Sequence, residues 1–305
     1  MGNPELNVVT GAFGYSGKYI TRRLLAMGKQ VITLTGNPDR PDPFAGQVKA
    51  YPFNFNKSEE LVSYLKGAVT LYNTYWVRFS YGQINYHNAI QNTRTLLQAT
   101  KSAGIQRIVH VSITNPSIDS PLPYFRGKAL LEESIRRSGL SYAILRPTVI
   151  FGKEDILINN IAYLLRRFPF FIIPGSGKYL LQPIYVEDIA DLAVQTGGSG
   201  ENLILDAVGP DIFTFEEMVK LIGRKLNSRA MLIHLPPRIA LFFSILVGYL
   251  LQDVVLTRDE LNGLMAGLLV SEKPPIGKTT LSAWLEQNRD SVGVDYASEL
   301  KRHFK

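Results

Sequence analysis

The stretch Val8-Val9-Thr10-Gly11-Ala12-Phe13-Gly14-Tyr15-Ser16-Gly17-Lys18 limits what this chain can fold into more than any other. An apolar run passes through three glycines spaced three apart and becomes a helical pattern, Ile20, Leu24, Leu25 and Met27, closed by Gly28. That is strand, tight turn, helix. A backbone that bends so sharply and lets a ligand rest against it needs residues without a Cβ, and the new helix points its N–H groups and positive dipole end at that ligand. The natural occupant is a phosphate. Hairpins and helix-packing sites use glycines too, but the place of these three between a strand and a helix favours a dinucleotide site over a bare structural turn.

The rest of the chain repeats the same rhythm. Gln30 to Thr35, Val48 to Pro52, Ala68 to Asn73, Arg107 to Ser112 and Ser141 to Leu145 read as further strands. Between them lie a turn-rich loop, Gly36 to Pro43, a helix opened by a capping box at Asn56 and Glu59 and stopped at Gly67, a long helix from about Gln83 to Ala103, and another ending near Ser138-Gly139. Short β-branched strands alternating with helices predict an α/β fold, a doubly wound parallel sheet of the Rossmann kind. The ligand is expected where the strand order switches. Beyond Pro147 the rhythm changes. A helix near Ile156 to Phe168, a proline-bounded apolar run to Pro174, strand-like segments at Leu181 to Val186 and Asn202 to Asp206, and helices capped by Thr214 with Glu217 and Thr257 with Glu260 follow. The expected division is a nucleotide-binding domain over residues 1–150, with strands returning from about 178–210, and a smaller, mostly helical substrate lobe over 151–305.

Composition removes several function classes. An apolar fraction of 46% over 305 residues suits a sizeable core. The absence of cysteine excludes disulfides, thiolate zinc sites and a cysteine nucleophile, and fits a reducing compartment. Met1 to Asn7 is short and polar, so no leader is visible and a cytoplasmic location is expected. The net charge of +7 suits anionic partners, but the basic residues are scattered, so nucleic acid is not expected. No metal site is expected either, since none of His87, His110, His234 and His303 has ligand spacing, and His110, inside a strand, reads as a satisfied core residue. No phosphate loop of the Gly-Lys-Ser/Thr type exists, which removes kinases and NTPases. The most apolar segment, Ile239 to Leu251, falls short of the ~20 residues that cross a bilayer. It reads first as a buried helix, with contact to a membrane surface or lipophilic ligand as the alternative.

Gly11-x-x-Gly14-x-x-Gly17 resembles the glycine motif of the extended and atypical short-chain dehydrogenase/reductases, and further matches follow in order: Asn92, Val109-His110-Val111-Ser112, Tyr124-Phe-Arg-Gly-Lys128, Leu145-Arg146-Pro147 leading to Gly152, and Gln182-Pro-Ile-Tyr185-Val-Glu-Asp188. The resemblance covers roughly residues 6 to 210 and is closest to the branch that includes NmrA-like proteins and the nucleotide-binding accessory subunit of respiratory complex I. It implies a cofactor held by Gly11, Phe13, Gly14, Tyr15, Ser16, Gly17, Asn37, Arg40, Asn54, Asn73, Thr74, Ser112, Lys128, Pro147, Thr148 and Val149. It further implies a proton exchanged by Tyr124, tuned by Lys128, with Thr114 orienting the substrate oxygen. One helical turn separates Tyr124 from Lys128, so both face the same way, and a nearby ammonium ion favours the phenolate. That makes a general acid/base for a carbonyl or alcohol. The tip of the second strand, Thr35-Gly36-Asn37 with Arg40 beyond, lacks the well-placed carboxylate of an NAD site, so NADP(H) is favoured over NAD(H). Bulky Tyr75 and Trp76 replace small residues after the fourth strand and are expected to reshape the pocket floor. Two readings stand: an NAD(P)(H)-dependent oxidoreductase acting on a carbonyl, alcohol or nucleotide-sugar-like small molecule, and a non-catalytic NADP(H)-binding sensor or scaffold.

Overall fold

The computed structural model describes residues 5–303 apart from residue 83, so Met1 to Pro4 and the helix start expected at Gln83 lie outside the described residues. In chain order the elements are β1 (Leu6–Thr10), α1 (Tyr15–Ala26), β2 (Gln30–Thr35), β3 (Val48–Pro52), α2 (Ser58–Leu65), β4 (Ala68–Asn73), α3 (Tyr86–Ser102), β5 (Arg107–Val111), α4 (Pro123–Arg136) and β6 (Ser141–Pro147). There follow β7 (Ile150–Phe151), α5 (Leu157–Arg167), β8 (Phe170–Pro174), β9 (Leu180–Leu181), β10 (Ile184–Tyr185), α6 (Val186–Gly197), β11 (Leu203–Ala207) and β12 (Phe213–Thr214). The last are α7 (Phe215–Lys225), β13 (Met231–Leu235), α8 (Pro237–Leu251), α9 (Arg258–Met265), α10 (Leu281–Asn288) and α11 (Glu299–His303). Two compact units result. The first ends at Arg146 and regains Val186–Leu205; the second holds Pro147–Tyr185 and the chain from Asp206 onward.

The first unit is built on a seven-stranded sheet in the order β11-β6-β5-β4-β1-β2-β3. Strands β1 to β6 all run parallel. Parallel strands need helical crossovers, which cover both faces, and so their residues read as nearly continuous apolar runs: Val8, Val9, Leu71 and Ile108 are wholly buried. On one face Leu61, Leu65, Leu96 and Ile135 pack against Leu34 and Ile144. On the other α1 lies along α6, tied by Arg23 to Glu187 at 3.1 Å and to Asp191 at 2.6 Å. The order reverses at β1, between β2 and β4. The crevice beyond the carboxyl ends of β1 and β4 is where such a sheet takes a ligand.

The helix expected to open with a capping box at Asn56 and Glu59 starts instead at Ser58, with Lys57 as its N-cap and no side-chain cap. The Lys57 N–H donates to the Asn54 carbonyl at 2.9 Å, so the turn ahead of the helix is one step longer than the pattern suggests.

In the second unit three short ribbons, β7–β10, β9–β12 and β8–β13, surround a core of Phe151, Ile158, Ile173, Met218, Trp284 and Leu285. The single strand expected over Leu181 to Val186 is two short ones, because Pro183 between them has no N–H to donate. Both later capping boxes form: Thr214 accepts from the Glu217 N–H at 3.2 Å while the Glu217 carboxylate accepts from the Thr214 N–H at 2.8 Å, and Thr257 and Glu260 do the same. Thr214→Ala is expected to lower stability by about 1 kcal/mol, seen as a lower urea midpoint at unchanged slope.

The expectation of a buried helix over Ile239 to Leu251 is corrected. Only Ala240 and Gly248 of α8 are buried, and Phe242, Ile245, Tyr249 and Leu250 are between 58% and 86% exposed. Hydropathy alone could not separate a helix sunk in a core from one with an apolar outer face, since both read as an unbroken apolar run.

Candidate dinucleotide site

Gly11 adopts φ +66°, a left-handed conformation that a side chain disfavours, and this turns β1 into α1. Its N–H donates to the Leu34 carbonyl at 2.9 Å, and its own carbonyl accepts from the Gly14 N–H at 2.8 Å. A Cβ on Gly17 would run into the Gly11 carbonyl, so this position sets how closely the helix can approach the strand. Gly14 is the N-cap of α1, with no side-chain cap, and the first turn holds no acid. Tyr15 and Ser16, half-buried, begin that turn. No acid and no side-chain cap of this first turn competes for the positive end of the helix, where a pyrophosphate would fit.

Hydroxyls hold this turn from behind. The Thr10 hydroxyl accepts the N–H groups of Thr74 at 2.8 Å and Tyr75 at 3.0 Å, while the Thr74 hydroxyl donates to the Thr10 carbonyl at 2.6 Å. Thr33 takes the Ala12 N–H at 3.0 Å and donates to the Val9 carbonyl at 2.8 Å. Phe13 is buried, its ring 6.4 Å from that of Phe44. Beyond β2, Asn37 is exposed and its carbonyl accepts from the Arg40 N–H at 3.4 Å, with no carboxylate before Asp39.

Beyond β3 and β4 the side chains are engaged with one another. Asn54 donates to the Glu60 carboxylate. The Tyr75 ring lies 4.9 Å from Phe53 and 5.5 Å from Phe55, and its hydroxyl accepts from Asn92 at 3.0 Å. Burial pushes that phenol above its usual range, partly offset by the Asn92 bond. Asn73 is fully enclosed; its carbonyl oxygen accepts from Thr10 at 3.1 Å and its amide nitrogen is 3.1 Å from His110 Nδ1. His110 is correspondingly enclosed. Burial, then the Lys128 charge, hold its imidazole well below the ordinary histidine range, and Nε2 has no partner among the described residues, so it is a core residue satisfied at one nitrogen only.

Of the three residues expected to carry a reaction, Thr114 and Lys128 are buried within the unit and Tyr124 is half-buried. Thr114 is wholly buried and its hydroxyl donates to the Arg146 carbonyl at 2.9 Å. Ser112 donates to Glu132 at 2.5 Å, and Glu132 in turn holds Arg146 through a fork of bonds including one of 3.0 Å. Lys128 is 3% exposed, donates to the Val111 carbonyl at 2.8 Å and lies 4.8 Å beneath the centre of the Trp76 ring. Burial lowers its pKa from 10.5 to about 7, and Glu132 nearby opposes that shift. Tyr124 is half-buried, edge-on to Trp76 at 5.8 Å and to Tyr86 at 6.1 Å.

Trp76 reaches this place because Gly127 has no side chain: a Cβ there would stand 2.7 Å from the indole. The Trp76–Gly127 contact was not foreseen from the sequence, although a glycine in mid-helix, between Tyr124 and Lys128, is its signal. Pro147, Thr148 and Val149 belong to the second unit, where Thr148 donates to the Gln182 carbonyl and the Val149 carbonyl accepts from Ile184 at 2.8 Å.

Residues 11–159 match the family model described as NAD(P)H-binding. With the sheet order and the glycine turn, this match gives the first unit a Rossmann-like α/β fold similar to NAD(P)H-binding domains. The chain's sequence is homologous to mitochondrial proteins named NADH dehydrogenase [ubiquinone] 1 alpha subcomplex subunit 9. The Arabidopsis thaliana protein is 27% identical over 286 residues, covering 87% of this chain and 70% of the relative. The Dictyostelium discoideum protein is 28% identical over 231 residues, which span 70% of this chain but 62% of that protein's length. In fold it is similar to an NADPH-dependent quinone oxidoreductase from Escherichia coli solved with NADPH, at a TM-score of 0.72, 20% identity and coverage of 91% and 97% of the two chains. No helix of the described residues is long and apolar enough to cross a membrane.

Proposed function

We propose that this chain holds a dinucleotide as a structural or sensing element within a larger assembly, and does not turn it over. The observation that carries this reading is the state of Lys128, which spends its ammonium on the Val111 carbonyl and is roofed by Trp76. A lysine so enclosed is not poised to lower the Tyr124 phenol or to hold a ribose. The subunit names of the homologues support the same reading. In it the amides of residues 11–17 hold the pyrophosphate, with Asn37 and Arg40 meeting a 2′-phosphate, so that NADP(H) is preferred over NAD(H).

The rival reading is a short-chain reductase acting on a carbonyl or nucleotide-sugar-like substrate, supported by Tyr124 and Lys128 standing one turn apart on α4. Tyr124→Phe separates the two. A scaffold keeps its dinucleotide affinity and shows no NADPH-consuming activity above background in either form. A reductase shows turnover that the variant loses by about 10²-fold or more.

A further inference from the structure

We propose that α8 lies flat on the surface of an anionic lipid bilayer and anchors the protein there. The helix places Ile239, Phe242, Phe243, Leu246, Tyr249 and Leu250 outward at intervals of three and four residues, and the last two are 86% and 78% exposed. So much exposed apolar surface on one helix needs an explanation, since scattered single residues do not. Fifteen residues reach about 22 Å, short of the ~30 Å hydrocarbon core, so the helix can lie on a bilayer but not span one.

Charge selects the occupant. From Glu216 to Glu260 the sequence has six basic residues, Lys220, Arg224, Lys225, Arg229, Arg238 and Arg258, and five acids, of which Glu216 is paired with Lys220, Glu217 and Glu260 close capping boxes, Asp259 is exposed next to Arg258 in the sequence, and Asp253 is the fifth. Asp253 is buried and its carboxylate accepts the N–H groups of Glu299 at 2.9 Å and Leu300 at 3.1 Å, so it offers the surroundings no exposed negative charge. Arg238 lies in the first turn of α8 itself; Arg224 and Arg229 before the helix and Arg258 after it are exposed as well, and no ion pair engages any of the four among the described residues. A helix with an apolar outer face and a cationic flank partitions into an interface by burying the first and attracting anionic headgroups with the second. The double proline Pro236-Pro237 that opens α8 fixes the backbone where the helix leaves β13. Tyr249, apolar in its ring and polar at its hydroxyl, suits the headgroup level.

Flotation with vesicles tests this on the full chain. Vesicles of phosphatidylcholine with about 30% phosphatidylserine are expected to carry the protein, pure phosphatidylcholine vesicles at least tenfold less, and salt near 1 M, where the Debye length is about 3 Å, to release it. Phe242→Asp combined with Leu250→Asp is expected to cut the partition at least tenfold while dinucleotide affinity and circular dichroism stay unchanged, because neither side chain is part of a core. Arg238→Glu, which leaves the apolar face intact, is expected to weaken binding to the anionic vesicles alone. Absence from both vesicles, equal binding to both, or binding undiminished in the double variant overturns the proposal. So does a lipid-free dimer that the double variant converts to monomer, which assigns the face to a second copy of the chain.

Discussion

Gly14→Asp is expected to lower dinucleotide affinity by two to three orders of magnitude and to leave the fold as stable as before, or more so. Gly14 is the N-cap of α1 at φ −87° and ψ −173°, extended backbone open to any residue, and aspartate is among the best N-cap residues. Its Cβ would stand 3.1 Å from the Gly11 carbonyl oxygen, a tight approach that a few tenths of an ångström relieve. The new carboxylate would satisfy amides that now have no side-chain cap, a gain over glycine of about a few tenths of a kcal/mol. The same carboxylate would stand where a pyrophosphate binds. Two like charges about 4 Å apart at an effective dielectric near 20 repel by ~4 kcal/mol, a factor of about 10³ in affinity. Calorimetric titration with NADPH and a parallel urea unfolding curve report the two effects separately. If affinity for both NADPH and NADH survives in a folded variant, the turn holds no pyrophosphate and both functional readings fall.

The glycine turn was legible because each glycine answers a backbone demand that sequence can express. Gly11 supplies a positive φ and Gly17 a close approach to the Gly11 carbonyl, both local to one short stretch of chain. The strands of the first unit were equally plain, since a strand covered on both faces is an uninterrupted apolar run. What escaped was the pairing of distant side chains. Tyr-x-x-x-Lys fixes the spacing of Tyr124 and Lys128 but not what surrounds them. Their surroundings are set by the loop after β4, which delivers Trp76 onto α4, and by Glu132, which draws Ser112 and Arg146 together. Likewise the composition of α8 marked it as apolar without saying which way its apolar side chains face. Reading such contacts would have required the β4 loop and α4 to be placed in space first; the mid-helix Gly127 was the trace they left in the sequence.

Lys128→Met is expected to remove a rise in stability that the unsubstituted protein shows between about pH 7 and 9. The unfolded chain keeps its lysine charged up to the usual 10.5, whereas the folded protein releases the proton at about 7, because burial beneath Trp76 penalises the ammonium more than Glu132 supports it. Between those values the unfolded state binds more protons than the folded one, so stability increases with pH through the window. Below about 7 both states are protonated and the burial penalty is present in full. From about pH 7 to 9 the gain is about 2 kcal/mol, and across the whole window at most ~5 kcal/mol. Methionine has no proton to lose, so subtracting the variant's urea-unfolding profile from that of the parent isolates the lysine between about pH 7 and 9; His110, whose imidazole the Lys128 charge also holds down, titrates below that window. Losing the bond to the Val111 carbonyl shifts the variant's whole curve but cannot tilt it. A flat difference curve would mean that Lys128 stays charged in the folded protein, as a ribose-holding lysine open to solvent would. The same result would remove the principal support for a scaffold and return the advantage to a reductase in which that charge acts on the Tyr124 phenol.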